Sequence, residues 1–241
     1  MNSNLAHKDA VLSNEMDITL VPKRVENKEN KIKKYVVYNI IKRIIDIIGA
    51  IVGVICLIPI TIGIAIARVI TKENDGPLFY EQLRIGKDGK KFRLFKYRSM
   101  VVGADDILSQ FLAENEDARK EYKKYKKLKE DPRITKVGNF MRKFSIDEFP
   151  QFINVLKGEM SLVGPRPYLP REKADMGDSY NQIIKVKPGI TGYWQVNGRN
   201  DIDFKERTQM DIEYIENRNL WDDFKIILKT IAKIFKKEGA L

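Results

Sequence analysis

Two adjacent carboxylates, Asp147 and Glu148, lie within a segment, residues 142–151, that also carries basic side chains and Pro150. Proline is tolerated in the first turn of a helix, because its missing N–H would have no partner there. We therefore predict that both carboxylates lie at a helix N-terminus, whose partial positive charge favours ionised carboxylates and nearby phosphates. An ionised Asp147 can attack phosphorus. Simple capping, by Asp147 or by Ser145 with Glu148, is the competing interpretation.

A single arginine, Arg166, stands between Pro165 and Pro167. The two prolines restrict the backbone on both sides of a planar guanidinium, which can donate two parallel hydrogen bonds to a phosphate. We predict a phosphate-binding residue here. An ordinary surface arginine in a proline-rich connector is the alternative.

Two further pairs of polar residues are candidates for ligand binding. Lys96 and Arg98 should share one face of a strand, because alternate residues of a strand point to the same side. Asn197 and Arg199 flank Gly198. A solvated strand face and a hairpin turn are the respective alternatives.

The elements that position these residues belong to a domain that follows residue 72. An Asp88-Gly89 turn between two strand-like runs predicts a β-hairpin. We predict a mixed, helix-rich α/β fold class. Its predicted strands cover 77–85, 91–99 and 190–196, and its predicted helices cover 103–130, 147–156 and 220–237.

The last predicted helix has two stripes, one apolar and one of lysines. The apolar stripe could lie on a membrane surface with the lysines towards acidic headgroups, or it could pack on the domain core. Its residues are Leu220, Phe224, Ile227, Ile231 and Ile234, and the lysines are Lys225, Lys229, Lys233 and Lys237.

Residues 47–67 carry no charge and are long enough, as a helix, to cover roughly 30 Å of hydrocarbon. Pro59 lies in the middle, where proline kinks or breaks a helix. Basic residues flank both ends, and the positive-inside rule places both flanks on the cytoplasmic side. A re-entrant helix that bends at Pro59 satisfies both flanks, whereas a straight span satisfies only one. Both courses stay open.

Composition limits the remaining alternatives. The 241 residues carry a net charge of +11, which favours anionic partners. The single histidine, His7, argues against a histidine zinc site or a Ser-His triad, and the single cysteine, Cys56, excludes an intramolecular disulfide. We predict three regions: a disordered polar tail over 1–35, a re-entrant membrane helix over 36–72 and a catalytic domain over 73–241.

Seven short segments, in order along the chain, resemble the motifs of the bacterial sugar transferase family, the monotopic phosphoglycosyl transferases. The segments cover about residues 40–235 and are 42–46, 95–100, 131–135, 145–151, 160–167, 187–192 and 195–200. Larger relatives carry additional spanning helices and a further domain, so the resemblance implies the minimal form. Ile58 stands where many relatives have serine before the helix-breaking proline.

The resemblance implies a transfer of sugar-1-phosphate from a UDP-sugar to polyprenyl (undecaprenyl) phosphate that starts glycoconjugate, exopolysaccharide or capsule synthesis. Asp147 would be the nucleophile, Glu148 a base or metal contact, and Mg²⁺ would bind at both carboxylates. The catalytic domain would face the cytoplasm at the cell membrane and contact membrane lipids. The predicted substrate-binding residues are Lys96, Arg98, Arg142, Gln151, Pro165, Arg166, Pro167, Asn197 and Arg199.

A basic membrane-anchored module that binds acidic lipid or nucleic acid without chemistry is the alternative function. The net charge supports it. The carboxylates beside the arginines oppose it, since they would repel a nucleic-acid backbone, and we expect no nucleic-acid partner.

The predicted topology can be tested with cysteines at Ser13 and Lys237 in a chain whose Cys56 has been replaced. Both should be shielded from an impermeant thiol reagent in intact cells and react after permeabilisation, because the basic flanks favour the cytoplasmic side. Labelling of one site alone in intact cells would contradict the re-entrant course and leave a straight span.

Overall fold

The computed structural model describes residues 28–198 and 202–236. Residues 38–241 form one compact unit, and the described part of the other unit, residues 28–37, is helical. The predicted mixed, helix-rich α/β class is confirmed. Helix α1 (Lys28–Ile70) begins within the stretch predicted as a tail, of which residues 1–27 lie outside the described part.

Helix α1 continues through Pro59, where the sequence predicts a break. The predicted break is therefore not confirmed. Proline removes one backbone hydrogen bond, and side-chain contacts support the next turn: the Thr61 hydroxyl lies 2.6 Å from the Leu57 carbonyl oxygen and 2.5 Å from the Tyr97 hydroxyl. The course of α1 relative to a membrane stays a prediction.

From Tyr38 onward, one face of α1 packs along the domain. Ala50, Leu57 and Ile64 are buried in two clusters of the core. At Gly53 the contact is so close that an added Cβ would lie 2.3 Å from the Phe152 ring. This face is therefore a part of the folded domain.

Buried polar side chains fix α1 at its N-terminal half. The Asp46 carboxylate accepts hydrogen bonds from the Ser161 hydroxyl and the Leu162 N–H, both at 2.9 Å. The Arg43 guanidinium donates to the carbonyl oxygens of Val155 and Leu156.

A second polar contact joins α1 to the C-terminal helices through Asp223, which is 6% exposed. Its carboxylate accepts hydrogen bonds from the hydroxyls of Tyr38 and Tyr214 and from the Lys42 ammonium. Three helices thus meet at one carboxylate.

The other face of α1 exposes a series of isoleucine and valine side chains from Val36 to Ile70. By length and composition, the Tyr35–Ile70 part of α1 could cross a membrane. Exposed apolar surface of this extent marks a membrane or protein contact.

The predicted hairpin is confirmed. Strands β1 (Phe79–Ile85) and β2 (Lys91–Tyr97) pair antiparallel around a 3₁₀ turn, in which Asp88 has a left-handed φ of 57°. Asn154 fixes this hairpin to the core, because its side chain accepts from the Phe95 N–H and donates to the Arg93 carbonyl.

The helix predicted over 103–130 is instead two helices, α2 (Ala104–Glu114) and α3 (Glu116–Tyr125). Asn115 separates them in an extended conformation, and its side chain accepts the Ala118 N–H. Asparagine favours this capping role over a helix interior, which explains the break.

The middle of the domain contains α4 (Lys136–Lys143), α5 (Gln151–Lys157) and two short parallel strands, β3 (Ser161–Val163) and β4 (Gly189–Thr191). Along the chain, helices α6 (Lys173–Met176) and α7 (Ser179–Ile183) come between β3 and β4. The strand predicted over 190–196 is wrong beyond Thr191: Gly192 accepts two backbone hydrogen bonds that start helix α8 (Tyr193–Asn197).

Helix α9 (Phe204–Asn217) precedes α10 (Leu220–Phe235), which confirms the last predicted helix over its described residues. The predicted apolar stripe does not form one buried face. Asp223 and Ile226 are buried and Ile227 packs on the core. The outward apolar residues are Trp221, Phe224, Leu228, Ile231 and Phe235.

Replacement of Asp46 by alanine should destabilise the fold, because two buried donors would lose their acceptor. We expect a cost of about 1–3 kcal/mol for each donor left unpaired. Thermal unfolding in detergent measures it, with the exposed Glu213→Ala on α9 as control. Equal unfolding temperatures for the two variants would show that the Asp46 contacts do not hold α1.

Candidate active site

Helix α4 packs against the segment that follows β2, through a close contact between the backbones at Gly138 and Ser99. Thr135 caps the helix by accepting the Gly138 N–H. A Cβ added at Gly138 would lie 1.9 Å from the Ser99 carbonyl oxygen, so only glycine permits this approach. One turn later, Arg142 donates from Nε to the Ser99 hydroxyl at 3.0 Å.

Asp147 reaches the site through a sharp turn after α4. Ser145 adopts a left-handed conformation with φ 56°, and residues Ile146–Glu148 form a 3₁₀ turn. Pro150 is the N-cap residue of α5, so Asp147 does not cap that helix, and the 3₁₀ turn has no side-chain cap from Ser145. The carboxylates thus lie just before the helix, and both capping interpretations are not confirmed.

Both carboxylates line a cavity of about 580 Å³. The structure brings most of the predicted site residues to this one cavity, together with a wall from α2 and the segment after α3. The predicted residues that line it are Lys96, Arg98, Arg142, Asp147, Glu148, Gln151, Arg166 and Pro167.

A lysine bridges the two carboxylates. The Lys96 Nζ lies 2.9 Å from Glu148 Oε1 and 4.0 Å from Asp147 Oδ2. Asp147 is 7% exposed. Burial raises the pKa of the Asp147 carboxyl and Glu148 raises it further, while Lys96 and Arg142 oppose the rise. The cations therefore offset part of the cost of an ionised, buried carboxylate.

Arg98 and Gln151 occupy the cavity wall in different ways. Arg98 donates to the Pro77 carbonyl at 2.9 Å and lies over the Tyr80 ring, so one of its nitrogens is engaged by the protein. Gln151 is 2% exposed, in the first turn of α5.

Two predicted residues within the described part of the chain, Pro165 and Asn197, do not line the cavity. Pro165 is buried behind it and accepts the Gly189 N–H. Asn197 ends α8, donates to the Tyr193 carbonyl and accepts from Lys229. Arg199 lies outside the described residues.

Four arginines that sequence reasoning missed also line the cavity: Arg84, Arg133, Arg171 and Arg207. Strand alternation could have revealed Arg84: Tyr80 pairs with Lys96, so Arg84, four residues after Tyr80, is on the face of Lys96. Arg207 lies on a helix face that is otherwise largely apolar, and a buried cation there is a signal in itself.

A divalent metal would find two carboxylates here. Among the described residues, no group of three or more His, Cys, Asp or Glu side chains is placed to hold a metal ion. Mg²⁺ is commonly bound by one or two carboxylates together with substrate phosphates, so Asp147 and Glu148 fit such a site.

Comparison with known proteins identifies the family. The family model described as bacterial sugar transferase matches residues 37–237. The chain belongs to the bacterial sugar transferase family. The match includes the docked part of α1 and every element that lines the cavity, which confirms the resemblance found in the motifs.

Curated relatives of this sugar transferase come from several bacteria. The undecaprenyl-phosphate galactose phosphotransferase of Salmonella typhimurium is 44% identical over 83% of this chain and 41% of the relative. The UDP-glucose:undecaprenyl-phosphate glucose-1-phosphate transferase of Escherichia coli is 38% identical over 85% and 42%. The exopolysaccharide production protein ExoY of Sinorhizobium fredii is 36% identical over 83% and 87%.

The chain thus spans about two fifths of the length of the first two relatives and most of the length of ExoY.

The raised pKa of Asp147 predicts a pH-dependent stability. The folded protein holds this proton more tightly than the unfolded chain, so ionisation of Asp147 lowers stability as pH rises from the ordinary aspartate value to the raised one. Asp147→Asn should therefore unfold at a higher temperature than the parent at neutral pH, with the gain shrinking in acid. Thermal unfolding of the parent and of Asp147→Asn over this pH range measures the difference in unfolding temperature.

The exposed Asp117→Asn on α3 is the matched control and should show no comparable gain. An Asp147→Asn variant that is no more stable than the parent at neutral pH would mean that Lys96 and Arg142 fully compensate the buried charge.

Proposed function

We propose that this chain transfers a sugar-1-phosphate from a UDP-sugar to undecaprenyl phosphate through a covalent phosphosugar on Asp147. The observation that carries the proposal is a buried carboxylate in a cavity lined by Lys96, Arg142 and Arg166. Phosphoryl transfer depends mainly on positioning and on neutralisation of phosphate charge, which these cations supply. The names of the relatives agree with the substrates.

In the first step, an Asp147 carboxylate oxygen forms a bond to the β-phosphorus. The bond from that phosphorus to the bridging oxygen breaks, and its electron pair leaves with UMP. In the second step, an oxygen of undecaprenyl phosphate attacks the same phosphorus and releases the Asp147 carboxylate. The sugar then remains on a lipid diphosphate.

Glu148 is proposed as the second carboxylate of the site, where Lys96 holds it at 2.9 Å. When bound, Mg²⁺ would be held by Asp147 and Glu148 with phosphate oxygens, and it would neutralise phosphate charge. Lys96 would then shift towards the phosphates, for which its flexible ammonium is suited.

The apolar face of α1 supports a place at the membrane, where the lipid substrate resides. We place the cavity on the cytoplasmic side, where nucleotide sugars are made, and the basic flanks of α1 agree with that side. The product would initiate a cell-surface polysaccharide, as the name of the ExoY relative indicates for that protein.

The covalent intermediate predicts a burst. With the right UDP-sugar and Mg²⁺ but no polyprenyl phosphate, the protein should release about one UMP per active site and then stall, as a two-step mechanism requires. Asp147→Asn should lower turnover by on the order of 10⁴ or more, as loss of a nucleophile typically does. Rapid-quench measurement of UMP and mass spectrometry of the Asp147 peptide test both points.

Asp117→Asn offers a control that alters a different carboxylate, an exposed one on α3 that does not line the cavity. It should retain a burst. A full burst from Asp147→Asn, with no adduct on the parent peptide, would favour direct attack by undecaprenyl phosphate instead.

A further inference from the structure

Arg207 is a buried cation that the proposed steps do not use. It lies on α9, is 2% exposed and lines the cavity. Its Nε is buried and has no hydrogen-bond partner among residues 28–198 and 202–236. In the part of the chain that the structure describes, its guanidinium forms neither an ion pair with a carboxylate nor a hydrogen bond. A buried charge without partners is costly, so its retention needs a reason.

Arg166 is a second cation of the cavity that forms no ion pair with a carboxylate among the described residues. Its Nε is also buried without a partner, and over 28–198 and 202–236 its side chain likewise pairs with no carboxylate. Its backbone N–H donates to the Asp211 carboxylate at 3.2 Å, which fixes the loop between the two prolines. Within the described residues, neither guanidinium forms an ion pair with a carboxylate, so both are available to a ligand that enters the cavity.

The surroundings hold Arg207 in place without neutralising it. Its guanidinium carbon lies over the Trp194 ring, 4.5 Å from the ring centroid, which is a favourable cation–π contact. Asp211, one turn further along α9, is engaged by the Tyr168 hydroxyl at 2.8 Å and by the Arg166 N–H. Arg84 adds a further cation and donates to the Pro167 carbonyl at 2.8 Å.

The arginines also repel one another. Burial lowers the pKa of Arg207 to about 10 and that of Arg84 to about 9, and Arg166 is the largest cationic contributor to both shifts. The groups therefore lie close enough to interact, and they remain protonated at neutral pH. Glu172 opposes the shift at both arginines, as Asp211 does at Arg207 and Glu148 does at Arg84.

We propose that Arg207 binds a phosphate group, forming with Arg166 a two-guanidinium site in the cavity. Two planar forks around one anion match the oxygens of a phosphate, and the anion would replace the missing ion-pair partners. The assignment rests on the proposed function, which supplies two phosphate sources: the nucleotide and the polyprenyl phosphate headgroup.

Equilibrium binding distinguishes these sources without turnover. UMP, and separately the short-chain geranyl phosphate, would be titrated into detergent-solubilised parent, Arg207→Gln and Arg207→Lys. Loss of a charge-assisted bidentate contact should weaken the affected ligand about tenfold or more in Arg207→Gln. Arg207→Lys should recover only part of the affinity, because an ammonium lacks the fork. Lys205→Gln, an exposed position on the same helix, is the matched control.

A second measurement uses the unaltered side chain. In protein labelled with ¹⁵N at arginine Nε, the NMR resonance of the Arg207 Nε–H group should shift when UMP or geranyl phosphate is added. The corresponding resonance of the exposed Arg93 should not shift. This readout stands even if Arg207→Gln folds poorly.

Weaker UMP binding in Arg207→Gln would assign the site to the nucleotide, and weaker geranyl phosphate binding would assign it to the lipid headgroup. Unchanged affinity for both, with no shift of the Arg207 resonance, would overturn the proposal and leave Arg207 as a packing partner of Trp194. A parent protein that binds phosphate through Arg207 but shows no UMP burst would refute the covalent mechanism and keep the site.

Discussion

The buried carboxylate of Asp46 joins the long apolar helix to the strand that leads into the proline-flanked arginine. Asp46 accepts two hydrogen bonds at the start of β3, and β3 runs directly into Gly164 and Arg166. In a low-dielectric interior such bonds are strong when complete and costly when broken. The relative position of α1 and the cavity wall is therefore set by polar contacts, while the apolar contacts of Ala50 and Leu57 supply close packing around them.

The cavity is built around charges that the fold itself does not fully balance. Asp147 is buried, and Lys96 reaches Glu148 more closely than Asp147. Arg166 and Arg207 lack carboxylate partners within the described residues. Such an arrangement costs stability in the ligand-free protein and favours an anion when one enters. A carboxylate beside several cations is the expected equipment for chemistry at phosphorus, where charge must be neutralised as bonds change.

Local sequence signals predicted the parts of the fold that depend on neighbouring residues. The Asp88-Gly89 turn predicted the hairpin, and periodicity predicted α10. Signals that depend on distant contacts were not readable. The chain continues as a helix through Pro59, and β3 pairs with β4 across 25 intervening residues that include two short helices. The same holds for the site. Local motifs indicated Asp147 and Arg166, whereas Arg84 and Arg207 become recognisable as site residues only once the fold brings β1 and α9 to the cavity.

The contact between Gly138 and the Ser99 carbonyl has a consequence for how this protein can change over generations. The position contributes no functional group, yet it sets the spacing between α4 and Ser99, the residue to which Arg142 donates shortly before the turn that carries Asp147. Even alanine would push the backbones apart. Selection for the chemistry therefore also restricts a residue that contacts no reactant.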